Sequence, residues 1–125
     1  MKTILVIDDE FGISEALSSL LSDEGYRVFT APNGQQGLEK LAEVNPDLVI
    51  VDFMMPVLDG AGVLQAVRNQ EARRHLPVIL MSGVAESIVR RDCEGYSAFL
   101  RKPFGAEAVL SLISRLLPAP PGKEP

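Results

Sequence analysis

Cysteine and histidine are nearly absent from this chain of 125 residues: Cys93 and His75 are the only ones of their kind. A single cysteine cannot close an intramolecular disulfide, so a reducing compartment is the expected home. One cysteine and one histidine also leave too few ligands for an ordinary zinc centre. Positive charge is in deficit, with 12 Lys and Arg against 17 Asp and Glu and a net charge of -5. A sequence-blind nucleic-acid binder needs a basic face to displace counterions, so direct nucleic-acid binding is not expected. Long apolar runs are missing too. Residues 4–7, after Lys2, resemble the start of a signal peptide but run at once into Asp8, Asp9 and Glu10, short of the ~7–15 apolar residues of such a signal. Nothing approaches the ~20 apolar residues of a membrane span. A soluble, cytoplasmic protein without membrane partners is the expectation.

What is present is ordinary globular material, 46% hydrophobic and 23% charged, of a length that fits one domain. Short apolar runs alternate with longer amphipathic stretches. Strands are predicted at 4–7, 28–31, 48–51, 78–81 and 98–100, the third of them the most hydrophobic and central. Helices are predicted at 13–21, with Ile13, Leu17, Leu20 and Leu21 on one stripe, and at 37–44, with Leu38, Leu41 and Ala42 inward. A turn at Pro32-Asn33-Gly34 precedes the second of these. Asp59 is placed to cap a third helix carrying Val63, Leu64 and Val67, and Gly60 beside it reads as a permissive turn position. The fourth helix, about 85–92, has the weakest period and is expected to be truncated or irregular. The fifth, 106–117, is well formed. The expected organisation is one domain over 1–117, followed by a Pro-rich tail or linker stub over 118–125.

Alternation of five strands with five helices implies an α/β fold, a five-stranded parallel sheet doubly wound by helices on both faces. In such sheets ligands sit at the carboxyl ends of the strands. Those ends carry Asp8-Asp9, Asp52 and Ser82, and Lys102 closely follows the last strand. Three carboxylates, a hydroxyl and an ammonium would therefore converge at one sheet edge. Like charges raise one another's pKa, and a hard divalent cation such as Mg²⁺ or Mn²⁺ relieves the repulsion.

Asp8-Asp9, Asp52 in Asp52-Phe53-Met54-Met55-Pro56, Gly60, Ser82 and Lys102-Pro103 together resemble the receiver domain of bacterial two-component response regulators, the CheY-like superfamily, from about Lys2 to Leu117. The resemblance implies the flavodoxin-like sheet order 2-1-3-4-5. It implies that Asp52 is the phosphoacceptor for a histidine kinase or histidine phosphotransfer protein. Mg²⁺ would be held by Asp9, Asp52, the backbone carbonyl of Met54, and Asp8 largely through water. Lys102 and the Ser82 hydroxyl would each meet a phosphoryl oxygen, with the Lys102-Pro103 bond cis. Ser82 and the switch aromatic Phe99, where tyrosine is commoner, would reshape the face made by the fourth helix, fifth strand and fifth helix. That face would meet a downstream protein or, after phosphorylation, a second copy in a homodimer. Such a protein assists its own phosphorylation and dephosphorylation but is not otherwise an enzyme. Met54 and Val84 would border the attacking water without hydrogen-bonding it, so the phosphate is expected to be lost slowly.

Rival readings remain. One is a Mg²⁺-dependent phosphohydrolase with an aspartyl nucleophile, which would need a general acid and a cap that this sequence does not offer. Another is a degenerate receiver that binds partners without phosphorylation. Taken singly, Asp8-Asp9 reads as a helix N-cap pair. Met54, Met55 and Met81 are expected around the pocket floor, Cys93 as a buried small side chain, His75 as a solvated loop residue at the far edge of the sheet, and Arg90-Arg91 as a solvated helix face.

Overall fold

The computed structural model describes residues 1–117. The tail expected over 118–125 lies outside the described residues. The elements in chain order are β1 (Thr3–Ile7), α1 (Phe11–Asp23), β2 (Arg27–Ala31), α2 (Gly34–Val44), β3 (Leu48–Asp52), α3 (Gly60–Arg68), a 3₁₀ turn (Glu71–Arg73), β4 (Val78–Ser82), α4 (Glu86–Val89), β5 (Ala98–Arg101) and α5 (Ala106–Leu116). The five strands form one parallel sheet in the order β2-β1-β3-β4-β5. This is the doubly wound arrangement expected from the alternation of elements.

Strand side chains alternate between the two sheet faces and so divide the core. Ile4, Val6, Leu48, Ile50, Ile79 and Met81 pack with Leu17 and Leu21 of α1 and Val109 and Ile113 of α5. Leu5, Ile7, Val49, Val51, Val78 and Leu80 pack with Leu41 of α2, Val63, Leu64 and Val67 of α3 and Val89 of α4. β3 and β4 are buried along their whole length. Burial on both faces explains why their sequences read as unbroken apolar runs.

Local chemistry sets the helix starts. Asn33 accepts from the Gln36 N–H at 2.8 Å and starts α2 at Gly34, earlier than periodicity placed it. Asp59 accepts from the Gly62 N–H at 2.9 Å and caps α3 as expected. In α2 the inward position is Gly37, pressed on the Ile7 side chain, while Ala42 is exposed. Gly60 has a different role from the permissive turn expected of it. A Cβ there would lie 2.5 Å from the Asp52 carbonyl oxygen and 2.8 Å from Phe53 Cα. Close approach of two backbones, not a left-handed φ, is what demands glycine.

The half-buried guanidinium of Arg68 ties together the α3–β4 and α4–β5 connections, donating to the carbonyls of Arg73 at 3.3 Å and Leu76 at 2.7 Å in the first and of Gly95 at 3.0 Å in the second. Burial pulls its pKa below the ordinary arginine value. The fourth helix is indeed short, a single turn of four residues. Its Glu86 carboxylate accepts from the Tyr96 hydroxyl at 2.8 Å and from Arg90 at 3.2 Å, and Arg90 also donates to the Tyr96 oxygen at 3.3 Å. Arg90 is therefore a fastener of this turn rather than a merely solvated cation. Among the described residues no helix is long and apolar enough to cross a membrane.

Candidate functional site

Parallel strands deliver their carboxyl ends to one edge, and there the charged residues meet. Asp8 follows β1, with its N–H bonded to the Ala31 carbonyl of β2 at 3.1 Å. Its Oδ1 accepts from the Glu10 N–H at 2.9 Å. That bond lies outside α1, whose N-cap residue Glu10 makes no side-chain cap. The N-cap reading of Asp8-Asp9 is therefore not realised. Asp52 is the last residue of β3, paired with Met81 of β4. One carboxylate oxygen from each of Asp8, Asp9 and Asp52 lies within 4.8 Å of the others.

Lys102 reaches this cluster from beyond β5. Its Nζ is 2.9 Å from Asp52 Oδ1, 3.1 Å from Asp8 Oδ2 and 3.1 Å from Glu10 Oε1. The Asp8 and Asp52 side chains are 0% and 8% exposed and that of Lys102 is 14% exposed. Its backbone N–H is fixed to the Ser82 carbonyl at 2.8 Å, and the Lys102-Pro103 bond is cis.

The electrostatics follow from this burial. Desolvation pushes the Asp52 carboxyl up to about 6; its hydrogen bond and attraction to Lys102 oppose the rise, while Asp8 and Asp9 add to it. Asp8 is likewise raised, again mainly by burial, with the Glu10 N–H and Lys102 pulling the other way. Burial would lower Lys102, but hydrogen bonds to Asp52, Glu10 and Asp8 outweigh it and leave the ammonium firmly protonated. One cation thus faces several carboxylates, and the negative charge is undercompensated. An all-oxygen donor set with surplus negative charge fits a hard divalent cation such as Mg²⁺.

Ser82 ends β4, one residue beyond the partner of Asp52. Its buried Oγ accepts from the Val84 N–H at 3.1 Å, which shapes the turn after β4. Phe99 is half-buried against the core that includes Leu80 and Val89, its ring centroid 6.3 Å from that of Tyr96. The methionines divide. Met55 and Met81 are buried on opposite faces of the sheet, whereas Met54 is 66% exposed and forms no floor. The chain leaves the sheet after Asp52, with the Phe53 N–H on the Met81 carbonyl at 2.7 Å and the Gly60 N–H on the Phe53 carbonyl at 2.9 Å. The intervening loop must bulge outward. Val57, at its tip, is 96% exposed with φ of 71°. Cys93 is buried and His75 exposed, as expected of them.

Glu10 is the site residue that motif reading passed over. Its signal was available in principle: a lysine drawn among buried carboxylates needs a solvent-side counter-ion, and Glu10 directly follows the Asp pair.

The family model described as the response regulator receiver domain matches residues 4–114. Sporulation initiation phosphotransferase F of Bacillus subtilis is 31% identical over 117 residues, covering 92% of this chain and 93% of that protein. Chemotaxis protein CheY4 of Vibrio cholerae superposes with a TM-score of 0.89 at 31% identity, covering 94% of this chain and 99% of the other. Response regulator TrrA of Thermotoga maritima, solved in complex with Mg²⁺-BeF, gives a TM-score of 0.85 at 32% identity over 94% of this chain and 100% of that one. The chain spans about half the length of other curated relatives it matches, which are transcriptional regulators.

Proposed function

The chain belongs to the response regulator receiver domain family, and from that membership we propose that residues 1–117 form a phosphoacceptor switch in two-component signalling. The observation that carries this reading is the Lys102 ammonium 2.9 Å from Asp52 Oδ1, beside carboxylate oxygens of Asp8 and Asp9. Asp52 is the nucleophile. An oxygen of its carboxylate attacks the phosphorus of a phosphohistidine on a histidine kinase or phosphotransfer protein. The P–N bond breaks, its electron pair leaves with the donor imidazole, and an aspartyl phosphate remains.

Asp9 and Asp52, Asp8 largely through water, and the Met54 carbonyl would hold Mg²⁺. The ion would neutralise the phosphoryl oxygens and the carboxylates alike. Lys102 donates to one phosphoryl oxygen as a fixed positive charge, already protonated and already at the acceptor. The Ser82 hydroxyl, whose Oγ accepts from the Val84 N–H, turns to donate its own O–H to another phosphoryl oxygen. That movement draws on the turn after β4, against which Phe99 repacks, and alters the α4-β5-α5 face presented to a downstream protein or a second copy. No external metabolite is turned over, and a cytoplasmic setting supplies the kinase.

Intact mass after incubation with acetyl phosphate and Mg²⁺ tests the reading. One phosphoryl adduct is expected, absent without Mg²⁺ and absent in Asp52→Asn. A folded protein that takes no adduct from acetyl phosphate or from candidate kinases would leave a phosphorylation-independent binding module instead.

A further inference from the structure

An ammonium has three N–H donors, and three carboxylates crowd the one at Lys102: it donates to Asp8 and to Glu10, each at 3.1 Å, and pairs with Asp52 at 2.9 Å. A phosphoryl oxygen that meets the ammonium must enter among these three anionic neighbours. The three acceptors are unequal. Drawing Lys102 away from Asp8 or Asp52 would strand a buried carboxylate, whereas the Glu10 side chain is 63% exposed and returns to water when released. Glu10 is also held in place. Its N–H is bonded to Oδ1 of Asp8, so the residue that anchors Lys102 from below fixes the backbone of the residue that meets it from above.

We propose that Glu10 is a positioning residue, which parks the Lys102 ammonium at the acceptor in the free protein and yields it to the phosphoryl group. This rests on the receiver reading given above. Glu10 and a phosphoryl oxygen are both anionic acceptors competing for one N–H. The exchange keeps the ammonium satisfied throughout, because one anion replaces another. It also makes Glu10 a threshold: the phosphorylated form must displace it, and the free form is favoured by what it contributes.

Beryllofluoride with Mg²⁺, titrated calorimetrically, tests this in wild type, Glu10→Gln and Glu10→Asp. Gln keeps the length and loses the charge. Asp keeps the charge but is a methylene shorter and does not reach Nζ. Both variants are expected to bind about two- to fivefold more tightly, the range for loss of a solvent-exposed ion pair. Unchanged or weaker binding in the variants overturns the proposal. Tightening in Glu10→Gln alone also overturns it, since that is general relief of negative charge.

The ¹⁵N resonance of the Lys102 ammonium gives a second readout. It should differ between wild type and Glu10→Gln in the free protein and coincide in the beryllofluoride complex. A difference that persists in the complex shows that Glu10 is not displaced and overturns the exchange. A wild type that binds no beryllofluoride and takes no phosphoryl group overturns the receiver reading as well. Binding by wild type with no effect of Glu10 overturns the Glu10 inference alone.

Discussion

The Lys102 ammonium sits 2.9 Å from Oδ1 of Asp52, a contact that spans β4, which lies between β3, ending in Asp52, and β5, which Lys102 directly follows. Each makes the other tolerable in a buried place. The carboxylate offsets the lost hydration of the ammonium, and the ammonium opposes the rise in the carboxyl pKa that burial imposes. The balance is incomplete, and that incompleteness is measurable.

The Asp52 carboxyl is raised in the fold from 3.8 to about 6. Below about pH 3 it is protonated in folded and unfolded chains alike and has no effect on stability. Between about pH 4 and about pH 6 the unfolded chain ionises first, so stability falls as pH rises. Above that window the loss is complete, worth roughly 2 to 3 kcal/mol. Asp52→Asn should therefore be more stable than wild type by about that amount near pH 7 in chelator, and equal to it near about pH 3. Urea unfolding at the two pH values decides it.

Lys102→Ala leaves Asp8 and Asp52 without their shared cation. A loss of about 2 to 4 kcal/mol near pH 7 is expected in chelator. Mg²⁺ should recover much of this loss and stabilise the variant more than it stabilises wild type, for which about 2.7 kcal/mol is expected at a hundredfold excess over Kd. Thermal melts with and without the ion read both effects. An equal response of the two proteins would contradict it.

Gly60→Ala forces a methyl group into backbone atoms that cannot yield, and a loss of about 1 to 3 kcal/mol with slower phosphorylation is expected. The control is Gly12→Ala at an exposed position in the first turn of α1, where nothing lies within 4 Å of the new atom. There a gain approaching 1 kcal/mol is expected from helix propensity.

Val57 holds a β-branched side chain at φ of 71° on an exposed loop tip. Val57→Gly removes that steric conflict, and a rise in stability of up to about 1 kcal/mol is expected, read from the urea midpoint. The phosphorylation rate follows the same variant as a check that the loop keeps its course.

Met54 is exposed two residues beyond Asp52, and on the proposed reading its thioether would not hold an attacking water in line. Loss of the phosphoryl group should be slow without a phosphatase. Met54→Asn should hasten it by roughly fivefold, the worth of about one hydrogen bond in the transition state. Decay of the phosphoprotein mass peak gives the rate, and a rate unchanged by the substitution would remove Met54 from the account.

Most of the architecture was legible because burial on both faces leaves an unmistakable mark: Leu48–Asp52 and Val78–Ser82 are buried throughout and apolar until their last residue. The polar residues at those ends pointed to the edge where chemistry gathers. Side-chain direction was less readable. Met54 and Met55 are neighbours in sequence, yet one is exposed and the other buried, because the outward bulge after Asp52 is set by the bond between Gly60 and Phe53, which no periodicity encodes. The start of α2 was misplaced for a similar reason, since an Asn cap acts through one hydrogen bond rather than through pattern. Glu10 was missed because its partner Lys102 lies 92 positions away.

The single turn of α4 has a consequence of its own. A helix of four residues cannot sustain itself, because nucleation is unfavourable and there is no length over which to recover it. Its shape is borrowed: from Val89 in the core, and from the Tyr96 hydroxyl and Arg90 gripping Glu86. A long helix transmits a push along its axis as a rod does. This segment is instead a compliant joint whose stiffness resides in its fastenings. Tyr96 packs against the Phe99 ring, so that ring touches one of those fastenings directly.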